Sequence, residues 1–129
     1  MSGDYLLDNN AISSFINNQL SENGMIFMSQ VIDKVPIISV ITEIEALSWI
    51  NEDKTKEKYI KSFINDSIVI SLSPEIVSQC VKIRRSKKIK TPDAILAATA
   101  IVYDFTLISN DYVFKSIKSL KTIDLLSIL

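Results

Sequence analysis

Short apolar runs rich in β-branched residues alternate along this chain with longer runs of helical spacing, and that alternation limits what the chain can fold into. Tyr5 to Leu7 is a short apolar run that ends at Asp8 and two asparagines, a strand exit followed by a turn. Ile12, Phe15 and Ile16 repeat at helical spacing, and Met25 to Val35 carries a second helical pattern with Met28, Val31 and Ile32 on one face. Pro36 blocks its continuation, and Ile37 to Ser39 reads as the next strand. Ile41 to Ile50 and Lys54 to Ile64 are helical, the latter with Tyr59, Ile60 and Phe63 on its face. Ser67 to Leu72 is a third strand, Pro74 opens a helix to about Arg85, and Thr91-Pro92 opens another to about Tyr103. Thr106 to Ser109 is a fourth strand, a short helix follows from Asp111 to Ser116, and Lys121 to Leu125 is a fifth strand.

Strands separated by helices are joined by crossovers, which imply a parallel sheet covered on both faces. The expected fold is therefore α/β: one domain over residues 1–129, with a central parallel sheet of about five strands and helices on both faces. A chain of this size buries enough surface for a core without disulfides or structural metals. In such sheets sites form at the carboxyl ends of the strands.

Composition removes several chemistries. The chain has no histidine, which excludes Ser-His-Asp catalysis and histidine-ligated zinc or iron. Its single cysteine, Cys80, rules out an internal disulfide and lies in a helical pattern as a small buried hydrophobe. Two glycines leave no Gly-rich phosphate loop. No stretch reaches the roughly 18 apolar residues of a membrane span, and MSGDYLLD has no basic signal-peptide start, so a cytoplasmic protein is expected. A hydrolase of this composition must rely on carboxylates, lysine or a metal.

Taken singly, each acid has an ordinary structural explanation. Asp8 follows the first strand, and an Asx turn or helix N-cap explains it as well as a site does. Asp93 lies in TPDAILAATA, where Thr91 is an expected N-cap, Pro92 the first helical residue and Asp93 a complement to the helix dipole. The alanines at 94, 97, 98 and 100 suit close packing on the sheet. Glu43 and Glu45 point roughly 200° apart on a helix, so at most one faces a common site. Glu45 is expected beside a buried stripe of Ile41, Ile44 and Leu47, and Glu43 on the other margin, with spacing alone leaving the choice open. Asp111 exits the fourth strand as a turn or cap acid; Asp4, Asp33, Asp53, Asp66, Asp104 and Asp124 are background. Joint placement at one sheet edge distinguishes Asp8, Asp93 and Asp111.

Four segments together, YLLDNNAIS at 5–13, ISVITEIEAL at 38–47, KTPDAILAATA at 90–100 and TLISNDYVF at 106–114, resemble the PIN-domain nucleases, specifically the VapC-type toxins of toxin–antitoxin pairs. The resemblance implies that Asp8, Glu45, Asp93 and Asp111 bind one or two Mg²⁺ or Mn²⁺ ions. It selects Glu45 over Glu43 through the S-x-x-T-x-x-E pattern of Ser39, Thr42 and Glu45, and it makes Asn10 and Thr91 polar supports. Two positions depart from the pattern: Asn9 stands where threonine is common, and Val113 where many members carry a further aspartate.

The implied chemistry is phosphodiester hydrolysis by in-line attack of water, because a hard cation takes oxygen ligands, lowers the pKa of its water and offsets phosphate charge. The implied partners are an RNA substrate, a small VapB-type antitoxin and a second copy of the chain. Although net charge is only −1, six of the nine residues from Lys82 to Lys90 are basic. Lys82, Arg84, Arg85, Lys87, Lys88 and Lys90 are either a solvated helix face or a strip that guides RNA. Trp49, Tyr59 and Tyr103 read as core or margin residues rather than base-stacking platforms. Competing expectations are a PIN nuclease of RNA processing without an antitoxin, and a non-catalytic α/β interaction domain whose acids are caps and turns.

Overall fold

The computed structural model describes residues 4–129. Five short strands, β1 (Tyr5–Leu7), β2 (Ile37–Ser39), β3 (Ile68–Ile70), β4 (Thr106–Ile108) and β5 (Lys121–Ile123), form one parallel sheet in the order β3-β2-β1-β4-β5. Six α-helices cover it: α1 (Asn9–Ile16), α2 (Glu22–Asp33), α3 (Val40–Leu47), α4 (Lys54–Asp66), α5 (Pro74–Ser86) and α6 (Thr91–Tyr103). The expected α/β architecture is the observed one. Among the described residues, no helix is long and apolar enough to cross a membrane.

The pleat sorts the strand side chains into two cores. Leu6, Ile37 and Leu107 point to one face, where they pack with Ile76, Cys80 and Ile83 of α5 and the buried alanines of α6. Their neighbours Leu7, Ile38 and Ile108 point to the other face, against Ile12 of α1, Met28 of α2 and Ile60 and Phe63 of α4. Strands buried on both faces need continuous apolar sequence, which is why YLL, IIS and TLI carry so little polarity. Ala94, Ala97, Ala98 and Ala100 are fully buried, so the alanine run packs closely as expected, and Cys80 is a free, buried thiol.

Several expectations require correction. On α3 the buried residues are Thr42 and Ala46, whereas Ile44 is 57% exposed and Leu47 48%. Small side chains let this helix lie close to its neighbours, and a stripe of Ile41, Ile44 and Leu47 would hold it away. The helix also stops at Leu47, where the Ser48 hydroxyl donates to Ile44 O at 2.6 Å, instead of running to Ile50. On α4 the face is Ile60, Phe63 and Ile64, with Tyr59 exposed. The last strand ends at Ile123 because Asp124 accepts from Leu126 N and opens a 3-10 helix over Leu125–Ser127.

Candidate functional site

β1 lies between β2 and β4, at the point where the strand order reverses, so residues leaving its carboxyl end enter the crevice where open α/β sheets bind ligands. Asp8 is the first such residue. Leu7 pairs with Ile108, and Asp8 N donates to Ile108 O at 3.0 Å, which sets Asp8 beside Ser109 at the end of β4. The Asp8 carboxylate is 7% exposed and fully engaged. Its Oδ1 accepts from Asn9 N at 2.7 Å, as the N-cap of α1, and its Oδ2 accepts from Ser109 Oγ at 2.8 Å and Asn10 Nδ2 at 3.3 Å.

Ser109 is the pivot of this network. Besides donating to Asp8, its hydroxyl oxygen accepts from Asn10 Nδ2 at 3.1 Å and from Asp111 N at 3.1 Å. Asn10 completes the ring by accepting from Asn110 N at 3.1 Å. Asn10 thus bonds both Asp8 and Ser109, whereas nothing in the sequence singles out Ser109. Only the pairing of β1 with β4 brings it opposite Asp8, and that adjacency is not visible in sequence order.

Asp111 is exposed, and its Oδ1 accepts from Val113 N at 3.1 Å, capping a 3-10 helix over Tyr112–Ser116. Val113 packs its side chain against the core, so no second acid stands on this turn. Glu45 is exposed on α3, and its Oε1 accepts from Asn9 Nδ2 at 2.8 Å across the site. Asp93 sits in the first turn of α6. The cap of α6 is Lys90, whose carbonyl accepts from Ala94 N at 2.9 Å. Thr91 is therefore the first helical residue and exposed, not the N-cap, and no side chain caps this helix.

Electrostatics links Asp8 to Asp93 and Glu45, and Asp93 to Asp111 and Glu45. Burial raises the Asp8 pKa above its ordinary 3.8, against the lowering effect of the Ser109 and Asn9 bonds; the charges of Asp93 and Glu45 raise it further. Burial likewise raises Asp93, followed by the charges of Asp111 and Glu45, while Lys90 pulls the other way. Background acids have local roles instead. Asp53 caps α4, Asp124 caps the last turn, and Asp104 pairs with Lys121 at 2.8 Å. Asp8 and Asp111 are also caps, as expected of turn acids, and each in addition lies within the electrostatic reach of Asp93.

Carboxylate oxygens supported by amide and hydroxyl groups are the donor set that a hard divalent cation takes. Among the described residues, no group of three or more His, Cys, Asp or Glu side chains stands placed to hold a metal ion. Asp8 lies within Coulomb reach of Asp93 and Glu45, and Asp93 within reach of Asp111 and Glu45, in an open arrangement.

One end of the basic run reaches this group, through the charge of Lys90 on Asp93. Lys82, Arg84 and Arg85 occupy the last turns of α5, and Lys87, Lys88 and Lys90 the loop to α6, all of them exposed. Arg84 Nε donates to Ile89 O at 3.3 Å, which fixes part of that loop. Arg84 and Arg85 also edge an open groove of about 510 Å³ whose wall includes Leu72, Val77 and Thr91.

A family model described as PIN domain matches residues 5–120. No curated protein sequence matches the chain. Solved structures do. A toxin–antitoxin complex from Klebsiella pneumoniae shares 23% identity, covering 97% of this chain and 100% of that one, with a TM-score of 0.73. DNA-bound VapBC from Salmonella typhimurium shares 18%, covering 97% and 99%, with a TM-score of 0.80. VapBC2 from Rickettsia felis, bound to a promoter DNA fragment, shares 20%, covering 92% and 96%, with a TM-score of 0.76.

Proposed function

Because this chain belongs to the PIN-domain family, we propose that it is a Mg²⁺-dependent endoribonuclease, the toxin of a VapBC-type toxin–antitoxin pair. The reading is supported by the network at the switch point of the sheet, where Asn9 bonds both Asp8 and Glu45, Ser109 bonds Asp8 and the backbone of Asp111, and Asp93 lies close enough to raise the Asp8 pKa. Mutually repelling carboxylates, with Asp8 buried and Asp93 partly so, cost the folded state stability unless a cation offsets them. When bound, Mg²⁺ or Mn²⁺ supplies a water of lowered pKa and neutralises charge on the phosphate.

The chain's own residues do the rest. Asp8, held on three sides by Asn9, Asn10 and Ser109, is a fixed oxygen ligand. Asp93, Glu45 and Asp111 complete the ligand set from three other elements. Lys87, Lys88 and Lys90, with Arg84 and Arg85, offset phosphate charge along the RNA as it approaches an otherwise anionic site. Asn10 acts through Asp8 and Ser109, and Thr91 is a polar group at the entrance to α6. The likeness to toxins in VapBC complexes supports a VapB-type antitoxin as partner, and a homodimer in the cytoplasm belongs to the same reading.

Purified protein should cleave structured RNA with Mg²⁺ or Mn²⁺ and stop on chelation with EDTA. Coexpression with a cognate VapB-type antitoxin should yield an inactive complex. Metal-independent cleavage, or none, overturns the enzyme reading; an active complex overturns the antitoxin reading alone.

Linkage gives a second expectation. Folding raises the pKa of Asp8 and Asp93 above 3.8, so their ionisation lowers the stability of the cation-free protein. That loss is absent below 3.8 and grows as pH rises through the raised values. Mg²⁺ offsets it, and its binding requires the ionised forms. The Tm gain from Mg²⁺ should be near zero at about pH 4 and increase towards neutrality, read from melts with Mg²⁺ or EDTA across that range. A gain independent of pH contradicts the assignment.

A further inference from the structure

Asn9 bonds two of the four carboxylates at once. Its backbone N–H donates to Asp8 Oδ1 at 2.7 Å, and its side-chain Nδ2 donates to Glu45 Oε1 at 2.8 Å, 36 residues away on another helix. We propose that Asn9 is a positioning residue that holds the Glu45 carboxylate in the cation site, an inference that rests on the nuclease reading above.

Glu45 needs such a restraint more than Asp8 or Asp111 does. Asp8 is buried and held by three donors, and Asp111 is fixed by Val113 N. Glu45 is exposed on α3, with a longer side chain and more rotamers to lose when it binds a cation. A hydrogen bond made before the cation arrives confines the carboxylate in advance, which is how an outer partner raises the affinity of a metal site.

The amide orientation supports this assignment. Asn9 Oδ1 is buried and has no hydrogen-bond partner among the described residues. Leaving a buried oxygen unsatisfied is unfavourable, yet turning the amide over would set that oxygen against the Glu45 carboxylate. The amide therefore takes its orientation from Glu45. A bond that served only to pin α1 to α3 would stabilise the fold without affecting cation affinity, so the two roles are separable by experiment.

Alanine at position 9 removes the side-chain donor and leaves the backbone N–H on Asp8 intact, so the variant isolates the link to Glu45. Mn²⁺ affinity of the full chain, read from the free-ion EPR signal, is to be measured for wild type, Asn9→Ala, Asn9→Ser, Glu45→Ala and the Asn9→Ala/Glu45→Ala double variant. Thermal melts establish that each is folded. Both Asn9 variants are expected to bind Mn²⁺ roughly tenfold more weakly, serine being too short to reach Glu45. The double variant is expected to bind no more weakly than Glu45→Ala alone, because the tether then has nothing to hold. Wild-type affinity in folded Asn9→Ala, or a further tenfold loss on adding it to Glu45→Ala, overturns the proposal while leaving the nuclease reading in place. Absence of Mn²⁺ binding by the wild type overturns the cation site, and the tether with it.

Discussion

Asp8→Ala should eliminate RNA cleavage while leaving the protein folded. The structure gives Asp8 an ordinary task as the N-cap of α1, accepting from Asn9 N at 2.7 Å. Loss of a cap costs about 0.5–2 kcal/mol, a tolerable fraction of the roughly 5–15 kcal/mol that holds a domain together. Removing the charge also relieves the repulsion from Asp93 and Glu45, which works in the opposite direction. Stability should therefore change little. Activity should fall by at least about 10²–10³-fold, as when a group that stabilises charge in the transition state is removed. If Asp8 were only a cap, a modest fall in Tm would accompany unchanged cleavage. Single-turnover cleavage beside a thermal melt separates the two.

The largest stability effect is expected at Phe114. Its ring is 1% exposed and packs in the core with Leu107, Ile117 and Leu120, and it anchors the 3-10 helix that Asp111 caps. Phe114→Ala deletes a large fully buried side chain and leaves a cavity, for a loss of about 3–5 kcal/mol. Equilibrium urea denaturation measures it directly. The same change frees the segment that carries Asp111, so cleavage should weaken in protein that is still folded. A loss below about 1 kcal/mol would mean that the core closes around the gap, contrary to the packing described.

Much of the fold was legible in the sequence because strands buried on both faces must be apolar throughout, and YLL, IIS and TLI are. The position of Asp8 at the end of a central strand followed from the same pattern. What hydrophobicity misjudged was α3. There, close approach demanded small residues, so Thr42 and Ala46 are buried while Ile44 and Leu47 face solvent. The start of α6 differs because its first hydrogen bond closes onto Lys90 rather than Thr91, one residue earlier than side-chain preference suggests.

The site was legible as a set of acids but not as a network. Ser109 and Asn9 hold Asp8 and Glu45 through contacts that span 101 and 36 residues, and pairings of that range depend on which strands and helices become neighbours. Val113 shows the converse: its apolar identity in the sequence matches a side chain turned to the core, leaving Asp111 as the acid of its turn.

In the proposed reaction the four carboxylates act together through a divalent cation on RNA. Its most direct test is single-turnover cleavage of a structured RNA as Mg²⁺ is titrated, for wild type beside Asp93→Asn. That substitution keeps the shape of the side chain and removes the charge that Asp111 and Glu45 oppose. Saturable Mg²⁺-dependent cleavage is expected from the wild type and none from Asp93→Asn at any Mg²⁺ concentration. Cleavage by Asp93→Asn at the wild-type rate, or wild-type cleavage that persists in EDTA, would contradict it.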